Sequence, residues 1–439
     1  MQTNTLRAIA LGIGILGSAS SLFGVGPQID PSTVHFAAEG PKAVITYTLS
    51  GAPAIVTMEI QTNTLDHGAG EWVDIGGENV QHVKGDVNRL IRDVGTVRTI
   101  EWKAHKDIPN RKIGEGRIRA VLTAWATNAP PDWLVMGLTQ EDDVRFYAST
   151  NYLPQGFSSD LYKTDCILMR RIPARGVVWM SGADPASSDY EKYESTVYSG
   201  IEQRHLVMLS KDYYMGVYTV TQGQWKKFLT NMSEFKSDKR PVENVKYGDI
   251  RGYKAIDASN NLNDADIWPA VGYKVPSGCF LDLLRKWTGL SVIDLPTAAQ
   301  WEFACRGGAA EDSKMQDLAV AGWFSGNRKQ TDGPNEVGLK APNGYQLFDM
   351  RGNVQECVQD RFSYGEDYLK TFAPGWRQGA VTIDPVGASV FSQPRCFLKL
   401  GGCYKEGYKP ARASSRAPGG WAYGDDFIGF RLWCPAEFN

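Results

Sequence analysis

Residues 295–308 read LPTAAQWEFACRGG, and residues 343–360 read NGYQLFDMRGNVQECVQD. In the first stretch Thr297 and Gln300 have capping-box spacing, so each side chain can satisfy a backbone N–H at the start of a helix. Trp301 and Ala304 ride on that helix, and Gly307-Gly308 end it. Working outward, Thr221 and Gln224 repeat the box ahead of Trp225, Phe228 and Leu229, which share a face. Ser277 is expected to cap another helix, with Phe280, Leu284 and Trp287 on one stripe and Gly289 closing it. Beyond Gly308 helical periodicity almost vanishes. Long loops rich in Gly, Pro and aromatics must find partners for their backbone polar groups, so buried aromatics, polar networks or metal ions are expected to fix them.

Further toward the N-terminus the texture changes. From about residue 28 to 126 the period is two. Ile45, Tyr47 and Leu49 alternate with Thr46 and Thr48, and Val56, Met58 and Ile60 alternate with Thr57 and Glu59. Ile100, Trp102 and Ala104, then Ile118, Ala120, Leu122 and Ala124, continue the pattern. Half-buried antiparallel strands with a solvated outer face predict a small all-β sandwich, Ig- or fibronectin-like, over 27–127. Asn128-Ala129-Pro130-Pro131-Asp132 breaks the alternation. Residues 128–164 read as a linker and lead-in strand, and 165–439 as a second domain. Two domains suit a chain of 439 residues.

The first residues, MQTNTLRAIALGIGILGSASSLFG, place Arg7 before an apolar run from Ala8 to Gly17 and then small residues. That run is too short to span a bilayer, so 1–26 reads as a secretory signal peptide. The expectation is an exported protein (periplasmic, cell-surface or secreted) with no transmembrane segment after signal removal. Lys+Arg total 47 against 49 Asp+Glu, a net charge of −2, which lacks the basic footprint of a nucleic-acid binder. Seven cysteines leave at least one thiol unpaired, and no CxxC occurs to form a zinc ribbon or redox pair.

Seven phrases of the C-terminal region resemble, in order, those of the formylglycine-generating enzyme (sulfatase-modifying factor) family. They are IPARGVVWMSG (172–182), YYMGVYTVTQGQWKKF (213–228), RPVENVKYGDIRGY (240–253), the two opening stretches, LKLGG (398–402) and Ile428-Gly429-Phe430-Arg431. The resemblance covers about Cys166 to Cys434 and none of the N-terminal sandwich. It implies that family's C-type-lectin-like fold, an α+β architecture rich in loops around a small irregular sheet.

Two features of the family can be carried over by position. Its oxidases use two cysteines, spaced C-x4-C, to bind copper as thiolates, and soft Cu(I) prefers sulfur. Here the first position falls on Glu406 and the second on Ala411, while Cys403 takes the family's serine position. Gln355 and Cys357 replace two family tryptophans. The resemblance thus implies no copper and no catalytic residue, with Cys403 the one weak candidate. The second feature is a structural calcium ion. The side chains of Asp349 and Glu356 and the carbonyls of Gly352 and Val354 match the family's ligands, an oxygen set suited to a hard cation.

Other chemistries find less support. Of five histidines only His205 lies in the C-terminal domain, so neither a three-histidine metal centre nor a Ser-His-Asp triad is supported there. Between Gly402 and Gly429 the sequence is rich in Tyr, Trp and small residues, the composition of adaptable binding surfaces. Tyr404, Tyr408, Arg412, Trp421, Tyr423 and Asp425 are the candidate contacts, with at least half of the aromatics expected to be partly exposed. Arg412, Arg416 and Arg431 could grip a carboxylate or sulfate, but the favoured reading pairs them with Asp425, Asp426 and nearby carbonyls to hold the terminal loops. The reading is an exported pseudoenzyme that binds a protein or glycan ligand. The alternatives are a formylglycine-generating-type oxidase with a rearranged site, acting on a sulfatase cysteine, and a structural envelope protein.

Overall fold

The computed structural model describes residues 7–9, 26–63, 70–93, 96–111, 116–183, 202–252, 275–307, 315–328, 332–362, 375, 378–386, 396–420 and 424–438. The chain divides into two compact units. One comprises Met1–Val135, Val144–Ser159 and Ala436–Asn439, the other Met136–Asp143 and Asp160–Pro435. The stretch read as a linker contributes to both and carries the strands Trp133–Gly137 and Val144–Tyr147.

In the first unit two antiparallel sheets share one core. Lys42–Ser50 pairs with Val97–Trp102, Gln28–Ile29 and His35–Glu39, while Ala54–Asn63 pairs with Ile118–Ala126, Trp72–Asp74 and Arg89–Ile91. Ile45, Tyr47, Leu49, Ile100 and Trp102 of one sheet pack with Val56, Met58, Ile60, Ala120 and Leu122 of the other. Strand Lys42–Ser50 keeps the alternation expected of a half-buried strand. Strand Ala54–Asn63 does not: Thr57 and Glu59, read as solvated, are 5% and 6% exposed. Val144–Tyr147 packs against this strand, and the Tyr152 hydroxyl bonds Glu59 and Asp74. A later segment thereby covers a face that the local pattern left open. Of the stretch read as a signal, Arg7–Ile9 pairs with Val121–Thr123, and 10–25 lie outside the described residues.

Ala104 opens a helical turn, Ala104–Asp107, rather than extending a strand. This brings Asp107 to the buried indole of Trp102, whose Nε1 donates to Oδ2 at 2.8 Å. The His82 amide donates to the same oxygen at 2.9 Å, and the His82 ring contacts Oδ1 at 2.5 Å. Burial alone would raise the Asp107 carboxyl, but these hydrogen bonds bring it below its ordinary value.

The second unit has short sheets and short helices. Cys166–Ile172 pairs with Tyr213–Gly216, which pairs with Trp433–Pro435. Val178–Ser181, His205–Met208 and Thr382–Ile383 form another sheet. A third runs Arg416–Gly420, Cys396–Leu400, Gln355–Arg361, Ile428–Phe430. Among the described residues no helix is long and apolar enough to cross a membrane.

Both expected capping boxes form, at Thr221 with Gln224 and at Thr297 with Gln300. The third helix differs from expectation. It runs Phe280–Thr288 with Cys279 at its N-cap, and Ser277 instead bonds Asp282 at 3.4 Å. Gly289 closes it in a left-handed conformation. Helix Ala298–Cys305 is buried at every residue but half-buried Gln300, so it shows little amphipathicity and packs into the core of the unit.

Asp107→Ala strips acceptors from a buried indole and a backbone amide. It is expected to lower stability by about 2–3 kcal/mol at neutral pH. Because the Asp107 pKa is depressed, its contribution exists above the ordinary aspartate range and is lost as pH falls through the folded-state value. Urea denaturation at pH 7 and pH 3 measures both; an equal loss at the two pH values contradicts the assignment.

Candidate functional site

The block 343–360 enters its strand through tight turns. Asp349 and Asn353 adopt left-handed backbone, with φ 54° and 63°, a region open to short polar side chains. At Gly352, φ 79°, an added Cβ would stand 2.2 Å from the Trp323 carbonyl oxygen, so no larger residue fits. The Gly352 amide donates to the Gly401 carbonyl at 2.6 Å, and the Asn353 amide to the Trp323 carbonyl at 2.8 Å. The Asn353 side chain bonds the Asn335 backbone in both directions, at 2.9 and 3.1 Å.

These turns deliver Glu356 to the interior beside Arg431, with 1% and 0% side-chain exposure respectively. Arg431 Nη2 donates to Glu356 Oε1 at 2.8 Å, and Nε reaches both oxygens at 3.1 and 3.2 Å. Trp301 Nε1 donates to Oε2 at 2.6 Å. The remaining guanidinium protons go to the carbonyls of Gly216, Val217 and Phe348 at 2.6, 2.9 and 2.7 Å. A second buried network centres on Glu302, which accepts from Arg416, Arg306, Ser181 and the Gly182 amide. Burial would raise the Glu302 carboxyl, but the two guanidiniums bring it to about 2.

The four atoms expected to hold calcium lie in this setting. Asp349 Oδ2 accepts the Gly338 amide at 2.7 Å, while Oδ1 is buried with no hydrogen-bond partner. That orphaned oxygen, beside a turn carrying two carbonyls, fits a hard cation. Glu356 is differently placed, with both oxygens already engaged by Arg431 and Trp301. The loop thus offers Asp349 as its one uncommitted carboxylate oxygen.

At positions 406 and 411, read by resemblance as the family's copper places, the structure presents no sulfur. Glu406 is half-buried and takes both of its oxygens to Gln355 Nε2, at 3.0 and 3.2 Å. Ala411 is buried in an apolar cluster with Leu318 and Phe324, against which Tyr408 packs. Cys403 is 1% exposed, and burial, with Glu406 adjacent, pushes its thiol up to about 12. Such a sulfur is protonated at neutral pH, the opposite of a reactive thiolate. The described residues include all seven cysteines, and no disulfide joins them. Among the described residues no group of three or more His, Cys, Asp or Glu is placed to hold a metal ion.

The six candidate contact residues do not form one exposed patch. Tyr404 is 1% exposed, its hydroxyl donating to Asp426 Oδ2 at 3.1 Å. Arg412 is also buried, its Nη1 and Nη2 donating to Glu202 at 2.8 and 3.2 Å and its Nε to the Lys409 carbonyl at 3.0 Å. At least half of the aromatics were expected to be partly exposed, and Arg412 was expected to pair with Asp425 or Asp426, but it pairs with Glu202 instead. Each turns inward because an acidic acceptor waits for its polar end, half-buried Asp426 for Tyr404 and buried Glu202 for Arg412. Tyr408 and Asp425 are partly exposed, and Trp421 and Tyr423 lie outside the described residues. Lys405 is exposed and binds Asp426 through Nζ at 2.6 Å. Sequence reading missed Glu202 and the Gln355–Glu406 pair. Glu202 lies 210 positions from Arg412 and carries no local signal of its role.

Residues 173–434 match the family model described as a sulfatase-modifying factor enzyme 1-like domain. The chain is 28% identical over 237 residues to the chaperone protein LppX of Paenibacillus barcinonensis, covering 42% of this chain and 75% of LppX. It is 30% identical over 114 residues to the formylglycine-generating enzyme of Mycobacterium tuberculosis, covering 23% of this chain and 37% of that enzyme. Similar solved structures include Treponema denticola variable protein 1, with 23% identity, 61% and 95% coverage of the two chains and a TM-score of 0.42. PvdO from Pseudomonas aeruginosa is similar at 18% identity, with 62% and 95% coverage and a TM-score of 0.44.

Glu356→Gln leaves the Arg431 guanidinium buried without its counter-charge and is expected to cost about 3–5 kcal/mol. The double variant Glu356→Leu/Arg431→Met should cost less than the sum of the single changes. Denaturant unfolding followed by tryptophan fluorescence reads both. Additive losses would show that the two side chains do not act as a pair.

Proposed function

Because this chain belongs to the sulfatase-modifying factor family through residues 173–434, we propose that it is an exported, non-catalytic member binding a protein or glycan ligand through loop region 403–426. One observation carries the reading. The positions that hold two copper thiolates in the family's oxidases carry here a carboxylate bonded to an amide and a methyl group in an apolar cluster. A soft metal ion finds no sulfur at either place. What remains is a rigid scaffold bearing loops, the common basis of a binding site. The relative named as a chaperone protein supports a family member whose business is another polypeptide.

On this reading Tyr408 and Asp425 contact the ligand, with Trp421 and Tyr423 as further candidates from the sequence, while the buried Tyr404 and Arg412 are held by Asp426 and Glu202. Export rests on the apolar N-terminal run, of which Ala8 to Gly17 is the core. Calcium belongs to the same proposal: Asp349 with the carbonyls of Gly352 and Val354 would hold it, and it would brace the turns entering strand Gln355–Arg361. Glu356 would contribute charge through whatever lone pair Arg431 and Trp301 leave.

The competing reading is an oxidase acting on a sulfatase cysteine through a rearranged site at Cys403, favoured by the partial identity with a formylglycine-generating enzyme. The purified chain is expected to take up no oxygen with Cu(I) and a cysteine peptide, and Cys403→Ser is expected to change nothing. Copper-dependent conversion of the peptide, lost in Cys403→Ser, would establish the rival instead. Ligand capture from envelope extracts should fall at least about tenfold on alanine substitution of Tyr408, Trp421 and Tyr423 together, as hot-spot aromatics do. Undiminished capture would refute the surface.

Calcium is expected to raise the melting temperature by a few degrees, as about 1–2 kcal/mol of linked binding would. EDTA should reverse the rise and Asp349→Asn abolish it. An identical response in Asp349→Asn would place the ion elsewhere.

A further inference from the structure

Beneath the candidate surface lies Glu243, a carboxylate with 0% exposure. Its backbone is pinned to Ser233, whose hydroxyl donates to the Glu243 carbonyl at 3.1 Å and accepts its amide at 3.2 Å. Oε1 accepts the Phe235 amide at 3.0 Å, while Oε2 is buried and makes no hydrogen bond. The titratable groups that face it are Glu234 on its own flank and Asp426 and Tyr404 on the surface loop. A half-satisfied carboxylate thus sits among other acidic groups, away from water.

The same spot anchors the loop. Asn244, in left-handed backbone at φ 58°, donates its amide to the Asp425 carbonyl at 2.9 Å. Gly424 packs so close that an added Cβ would stand 2.6 Å from the Asn244 carbonyl carbon. Asp426, one residue on from Asp425, accepts the Tyr404 hydroxyl and the Lys405 ammonium. The order of 404–406 and of 424–426 therefore depends on the seat that follows Glu243.

We propose that Glu243 is a proton-operated latch for the loop segments 404–406 and 424–426. Protonated, it is neutral and lets Asp426 seat with Tyr404 and Lys405. Ionised, its unpartnered oxygen repels Asp426 and loosens the loop. Burial first, and then the charges of Asp426 and Glu234, push Glu243 up to about 7 against hydrogen bonds from the Phe235 and Glu234 amides that pull it down. The folded-state value is raised, so the stabilisation is full below the ordinary glutamate range and is lost as pH rises through about 7. The consequence for binding, a surface better ordered below neutral pH, rests on the function proposed above. The latch itself does not.

Hydrogen exchange of the full chain, read by mass spectrometry from pH 6 to pH 8 and corrected for intrinsic rates, tests the latch without any ligand. Peptides covering 404–406 and 424–428 are expected to lose protection by about tenfold over that range, one pH unit of linkage. The strand Cys166–Ile172 should hold steady. Glu243→Gln should remain at the low-pH protection throughout. An identical pH response in Glu243→Gln, or a flat one in the parent, overturns the proposal. Should Glu243→Gln fail to fold, Asp426→Asn serves, since removing that charge takes away one cause of the raised value and must move the midpoint of the transition to lower pH and shrink the loss of protection; an unmoved midpoint counts against the latch. Alanine variants of the surface test the binding reading separately, so the two can fail independently.

Discussion

A guanidinium shut away from solvent has to find every acceptor inside the protein, and Arg431 finds them on three separate segments. It joins Glu356 and the carbonyls of Gly216, Val217 and Phe348, while Trp301 completes the carboxylate. Burying such a pair carries a large desolvation cost, offset only where geometry is good and the remaining protons are satisfied. Here they are. The pair consequently specifies where a strand, a turn and the C-terminal segment meet, in a region where hydrophobic periodicity specifies little. Glu302 does the same service nearby with Arg306 and Arg416.

Around this frame the family's scaffold persists, while the positions read by resemblance as its copper places carry a carboxylate and a methyl group. Gln355 replaces an aromatic and donates to Glu406, so the two substitutions satisfy each other. Ala411 fills a small apolar niche with Leu318 and Phe324. The turn at Gly401 and Gly402 docks on the Gly352 amide through the Gly401 carbonyl. Fold and chemistry are separable in this way because the packing rests on buried ion pairs and turns, and the reaction rests on a few side chains placed upon them.

Local signals in the sequence were legible wherever their physical partners were also local. The capping boxes at Thr221 and Thr297 form because donor and acceptor are three residues apart. Ser277 fails as a cap because Gly278 and Asp282 draw it into a turn before the helix begins. The alternation of Lys42–Ser50 predicts its buried face correctly. In Ala54–Asn63 the same rule misses Thr57 and Glu59, since the residues that cover them arrive from Val144 onward.

The amino-acid sequence by itself determined which chemistry is available: folding cannot turn Glu406 or Ala411 into a thiolate, so the absence of sulfur at those positions is a matter of covalent identity. It also determined the turns, because a left-handed Gly352 or Gly402 is a property of the residue in its backbone. Tertiary structure alone decided which way the polar aromatics and arginines face. Tyr404 points inward to an aspartate 22 positions away and Arg412 to a glutamate 210 positions away. Neither distance along the chain leaves a pattern in the sequence, for a buried charge needs an opposite charge near it in space and sets no condition on where in the chain that charge is encoded.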